Sequence, residues 1–131
     1  MRYFFPLHSY FDAGIIAAGG SDHMIGHDKD KAVNPFNPFL NIWMAITRRT
    51  TEGKVIYPEE KVSRVEALRL FTNGPAYLQF NERKTGSLEA GKYADLVVLD
   101  RDYLTCPEDQ IREIKPLATM VEGKLRYGSF E

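Results

Sequence analysis

The stretch Thr85-Gly86-Ser87-Leu88-Glu89-Ala90-Gly91-Lys92-Tyr93-Ala94-Asp95-Leu96-Val97-Val98-Leu99-Asp100 decides how the rest of this 131-residue chain is read. Its first half, residues 86–92, reads as a short extended piece followed by a turn. Its second half, residues 94–100, carries a β-branched apolar run of strand length. The same grammar continues downstream. Residues 117–121 and 124–127 flank Glu122-Gly123, where the glycine supplies the positive φ of a hairpin turn. Everything after about residue 80 therefore predicts strands.

Upstream the pattern is helical. Pro6 opens a short helix over residues 7–13, closed by Gly14. Asn37 caps a second helix that starts at Pro38, buries Phe39, Ile42, Trp43 and Ile46, and ends around Arg48-Arg49-Thr50. A third helix is expected from Pro58, with Glu59 and Glu60 complementing the positive end of its dipole. Val62, Val65, Leu68 and Phe71, with Leu70 beside them, form its buried stripe. Asn73-Gly74-Pro75 stops it, and residues 75–80 add a further helical turn or two. Between the first two helices, Ile15-Ile16-Ala17-Ala18 has no polar alternation, which is the pattern of a strand covered on both faces of a parallel sheet. It runs into Gly19-Gly20-Ser21-Asp22, and residues 23–38 then read as a long packed loop. The change of grammar near residue 80 divides the chain into residues 1–80 and residues 81–131.

Composition narrows the function classes. The chain is 44% hydrophobic and 27% charged, which is globular rather than disordered. With 17 basic against 18 acidic residues, no cationic surplus exists to neutralise phosphates, so no nucleic-acid partner is expected. Cys106 is the one cysteine, which excludes an internal disulfide and suits a reducing compartment. No apolar stretch approaches the roughly 20 residues that span a bilayer, and the N-terminus lacks a signal-peptide pattern. A soluble cytoplasmic chain without a membrane partner is the expectation.

Few residues invite chemistry. Asp22 stands just past the end of an apolar run, on a Gly-Gly-Ser turn that lets backbone approach a ligand closely. It either serves a reaction there or caps the turn. His23, His27, Asp28 and Asp30 cluster in sequence, yet Gly26 argues against the helix that would align the two imidazoles. Val33 and Phe39 stand where an EF-hand loop from Asp28 would need glycine and a bidentate carboxylate. Arg48 and Arg49 are either cations at a helix C-terminus or contacts at a ligand mouth. His8 reads as structural, and Cys106 has no histidine near it to activate a thiolate.

Taken in order, five features resemble the C-terminal quarter of metal-dependent amidohydrolases. They are the Gly-Ser-Asp turn, the aromatic-proline loop, Glu66-Ala67-Leu68-Arg69-Leu70-Phe71-Thr72, the stretch from Thr85 to Asp100, and Ala118-Thr119-Met120-Val121-Glu122-Gly123-Lys124. The resemblance is to the subgroup called amidohydrolase family 3, which includes the N-substituted formamide deformylases. The pattern Gly-x-Leu-x-x-Gly-x-x-Ala-Asp-Leu carries most of it.

The resemblance implies an α/β fold. Residues 1–80 would be the end of a (β/α)8 barrel, with residues 15–18 as strand eight, and residues 81–131 the C-terminal strands of a small composite β-sandwich. Since a (β/α)8 barrel takes roughly 250 residues, the chain is expected to be a fragment. The resemblance makes Asp22 the catalytic residue, in contact with the metal and its water, serving as general base and then as acid toward the leaving nitrogen. It gives His23 and Arg49 contact with a small amide-type substrate. It also implies a divalent metal cofactor, zinc foremost, in the full-length enzyme. The His-x-His and the other metal-ligand segments of the family are not found in this sequence, so the isolated chain is expected to bind no metal tightly and to be inactive. A stand-alone, non-catalytic assembly module is the rival reading, and an open frame carrying His-x-His upstream of Met1 would exclude it. Unpaired edges at residues 15–18, with Trp43, Leu68 and Phe71 as an apolar patch, lead us to expect a homo-oligomer.

Overall fold

The computed structural model describes residues 5–21, 37–50 and 52–130. In chain order it forms helix α1 (Leu7–Asp12), helix α2 (Pro38–Thr47), a 3₁₀ turn (Pro58–Glu60), helices α3 (Arg64–Leu70) and α4 (Asn73–Leu78), strand β1 (Leu96–Leu99), a longer 3₁₀ segment (Glu108–Glu113), and strands β2 (Pro116–Val121) and β3 (Lys124–Gly128). The fold is mixed, with helices before residue 80 and an antiparallel sheet of order β1-β2-β3 after it.

Helix α2 organises the core. The Asn37 side chain accepts the Phe39 amide at 2.9 Å, and Pro38 fills a first-turn position where no N–H is needed. The helix closes on Arg48 in the left-handed region, at φ 57°. Ile42, Trp43, Ala45 and Ile46 are buried, and the buried hydroxyl of Thr47 donates to the Trp43 carbonyl at 2.8 Å. Against this face pack Ala67 and Leu70 of α3 together with Tyr103, Ile111 and Ile114. A reciprocal clasp holds that packing. The Tyr103 hydroxyl donates to the Arg64 carbonyl at 2.6 Å, while the Arg64 guanidinium donates to the carbonyls of Tyr103 (2.7 Å) and Cys106 (2.5 Å).

Four expectations are corrected. The helix expected from Pro58 breaks after Glu60 and restarts at Arg64, because Ser63 and Glu66 make a capping box. The Ser63 hydroxyl oxygen accepts the Glu66 amide at 3.2 Å, and the Glu66 carboxylate accepts the Ser63 amide at 2.7 Å. The break also rotates the buried face. Ala67 and Leu70 point inward, whereas Val65 and Leu68 are 48% and 37% exposed.

The second correction concerns residues 86–92: the expected turn falls at 90–92, but the chain bends at 86–87 and forms no strand before it. Ser87 donates to Glu89 at 2.6 Å and Lys92 to Ser87 at 2.6 Å, and such local bonds compete with an extended backbone. The third concerns α4, which begins at Asn73, two residues before the expected turn.

The fourth is the strand over residues 15–18. The segment has no ladder among the described residues, and Ile15 and Ile16 are 51% and 49% exposed. An apolar run becomes a strand only where neighbours accept its backbone bonds. Here the following Gly19 amide donates to the Leu70 carbonyl at 2.6 Å, at the end of a helix. The β2–β3 hairpin follows the sequence, and its two-residue turn has positive φ at both Glu122 (51°) and Gly123 (73°).

Candidate functional site

The approach to the candidate site is built by close packing. At Gly74, near the start of α4, a Cβ would lie 2.1 Å from the Ala17 carbonyl oxygen, so only glycine lets the backbone of residues 17–18 sit there. One turn earlier the Phe71 ring lies against Gly19, close enough that a Cβ there would meet it at 2.7 Å. Together with the Gly19–Leu70 hydrogen bond, these contacts carry the segment along the end of α3 to Ser21.

Residues 18–21 form one wall of an open cavity of about 450 Å³. Met44, Leu70 and Phe71 give it an apolar floor, and Asn41, Arg48 and Arg49 contribute polar groups. The two arginines differ in role. Arg48 is a brace whose guanidinium donates to the carbonyls of Ile56 (3.1 Å) and Phe5 (3.2 Å). Partial burial lowers its pKa from the ordinary value, opposed by the charges of Glu60 and Glu59. Arg49 is more exposed, and its Nη1 lies 3.3 Å from Asp109 Oδ1. A guanidinium carries five donors and no acceptor, so what Arg49 offers a ligand is hydrogen bonds to a carbonyl or anionic oxygen. A second cavity, of about 340 Å³, touches Ile15, Ile16 and Ala17 and is lined by Arg69, Glu82 and Lys92.

Asp22 and His23 lie outside the described residues, as do His27, Asp28 and Asp30. Of the expected site residues, the structure describes Arg49, which lines the same cavity as Ser21. His8 pairs with Asp12 on the surface of α1 at 3.3 Å, the structural role expected of it. Cys106 lies beside Arg64, 3.9 Å from its Nη1. Among the described residues no three histidine, cysteine or carboxylate side chains converge on a point that could hold a metal ion. The described part therefore does not supply a metal-ligand set. The described residues also contain no helix long and apolar enough to cross a membrane.

Two site-shaping residues escaped the sequence. Gly74 read as part of a helix stop, although a glycine opening a helix is itself a sign of close backbone approach. Asp109 gave no signal, because nothing in a sequence pairs it with an arginine in a distant loop.

A family model described as the amidohydrolase family matches residues 1–127. The chain is 40% identical over 123 residues to an N-substituted formamide deformylase of Arthrobacter pascens, covering 94% of this chain and 21% of that protein. It is 27% identical over 130 residues to the Bacillus subtilis (strain 168) protein YtcJ, covering 97% of this chain and 23% of that protein. The fold matches a crystal structure of an amidohydrolase from Thermotoga maritima MSB8 with a TM-score of 0.66 at 16% identity, over 98% of this chain and 29% of that one. The chain thus spans about a fifth of the length of the curated relatives it matches.

Proposed function

This chain belongs to the amidohydrolase family, and from that premise we propose that it is the C-terminal portion of a metal-dependent hydrolase acting on amide-type, non-peptide C–N bonds of small molecules. In this reading residues 1–80 correspond to the end of a (β/α)8 barrel and residues 81–131 to part of a small β-sandwich. The fold match along nearly the whole chain supports an amidohydrolase-type fold. The observation that carries the functional reading is the cavity lined by both Ser21 and Arg49, on the segment that leads into Asp22.

Asp22, which follows Ser21 in the chain, would take a proton from the water attacking the substrate carbonyl carbon. It would then return the proton to the nitrogen as the C–N bond breaks. Arg49 would receive an acceptor oxygen of the substrate, and His23 would lie beside it. A divalent metal, zinc foremost, belongs to this reading for the longer protein only. The 131-residue chain by itself would be inactive. The half-exposed Ile15 and Ile16 favour self-association of the chain, which sedimentation equilibrium at micromolar concentration would report as a mass above 15.0 kDa.

A graft tests the reading. This chain replaces the matched fifth of the Arthrobacter pascens deformylase, and the chimera is assayed on an N-alkylformamide. The expected result is an active chimera that loses activity with Asp22→Asn. A folded chimera that is inactive, or one indifferent to Asp22→Asn, would overturn it.

A further inference from the structure

We propose that Asp109, sixty residues downstream, is a positioning residue that holds the Arg49 guanidinium at the rim of the 450 Å³ cavity. This rests on the substrate-contacting role read above for Arg49. The 3₁₀ segment that carries Asp109 meets α2 and its N-cap residue through three contacts. The Arg112 guanidinium stacks over the Trp43 ring at 4.9 Å from its centroid. The Asn37 side-chain amide donates to the Arg112 carbonyl at 3.1 Å. The Trp43 indole N–H points to Asp109 Oδ1 at 3.4 Å. Trp43 is only 3% exposed, so the indole N–H that faces that carboxylate oxygen is itself held in the core.

The same oxygen meets Arg49 Nη1 at 3.3 Å. Both side chains of that ion pair are well exposed, so it contributes little to stability. Its effect is orientation. Without it, a long side chain following a left-handed helix end would sample many rotamers, and each binding event would have to order it again. With it, the guanidinium is biased toward one orientation, and its remaining donors stay available to a ligand. The ligand atom that Arg49 would receive at this rim is a carbonyl or anionic oxygen.

Two measurements test the proposal. In the 131-residue chain, Asp109→Asn should sharply lower the heteronuclear NOE of the Arg49 Nε–H group, and Asp109→Glu should restore much of it. The indole resonance, assigned at once because Trp43 is the single tryptophan, reports that the 3₁₀ segment stays docked. In the chimeric deformylase, Arg49→Gln should raise KM by about tenfold with kcat little changed, as expected for loss of one charged hydrogen bond to substrate. Asp109→Asn should raise KM in the same direction and add little on top of Arg49→Gln. An Arg49 NOE untouched by Asp109→Asn overturns the proposal, and so do KM effects that add in full. An inactive wild-type chimera would instead count against the functional reading, leaving the NOE to decide whether Asp109 positions Arg49.

Discussion

Glu60 caps a helix far upstream of it in the chain: its carboxylate accepts the Ser9 amide at 3.0 Å and the Ser9 hydroxyl at 2.6 Å, across a separation of 51 residues. Helix α1 has Pro6 at its N-cap position and no side-chain cap of its own, so a carboxylate from the 3₁₀ turn serves its first-turn donors. These two bonds from Ser9 hold the Glu60 carboxyl below its ordinary pKa of 4.5. Because the folded pKa is depressed, the capping is fully present above pH 4.5 and is lost as pH falls through the lower folded value. Amide exchange at Ser9, corrected for its intrinsic rate, should therefore accelerate in acid, and Glu60→Ala should give the same acceleration at pH 7. Unchanged Ser9 protection in the variant would refute the cap.

The capping box at α3 gives a second test. Ser63→Ala removes the acceptor for the Glu66 amide, and N-cap losses of this kind cost about 1 kcal/mol. The urea midpoint should fall accordingly with an unchanged slope. Glu66 should also contribute more at neutral pH than in acid, since its pKa is lowered chiefly by the Ser63 hydroxyl. A Ser63→Ala midpoint equal to wild type would show that the helix start is set elsewhere.

Tyr103 should make the fold sensitive to alkali. Burial pushes its hydroxyl from the ordinary 10.0 up to about 12. Above pH 10 the unfolded chain ionises while the folded chain keeps the proton that bonds the Arg64 carbonyl. Stability should then fall by about 1.4 kcal/mol per pH unit across that window. Tyr103→Phe should be less stable at pH 8 by about 1 kcal/mol, for one lost hydrogen bond, and should lose less between pH 10 and pH 12. Parallel wild-type and variant pH profiles in urea unfolding would contradict this.

Gly74→Ala should disturb the cavity wall. The added carbon would meet the Ala17 carbonyl inside contact distance, so backbone must shift, at a cost of about 1–3 kcal/mol. Amide chemical shifts of residues 17–21 should move far more than those of β2 and β3. Changes spread evenly over the chain, or none, would argue against this approach geometry.

What the sequence disclosed and what it hid divide along local and long-range physics. The α2 start at Asn37-Pro38 and the Glu122-Gly123 turn were legible because their determinants lie within a few residues. The break before α3 was legible in principle, since Ser63 and Glu66 spell a capping box, but the proline and acidic residues at 58–60 drew the helix start too early. The strand over residues 15–18 failed because an apolar run states that a segment will be covered and not by what. Arg49 was visible as a candidate, while its relation to Asp109 depends on how the 3₁₀ segment docks on Trp43, which no local pattern encodes.

The shared core also dictates an order of events during synthesis. Trp43 and Ile46 leave the ribosome well before Ile111 and Ile114, the residues that close over them. At 5–20 residues per second the apolar face of α2 waits on the order of several seconds for that cover. During that interval α2 is an exposed amphipathic surface, attractive to holding chaperones. A stop codon or ribosomal stall between residues 80 and 103 would release a chain whose central helix is covered by α3 but not by Tyr103, Ile111 and Ile114.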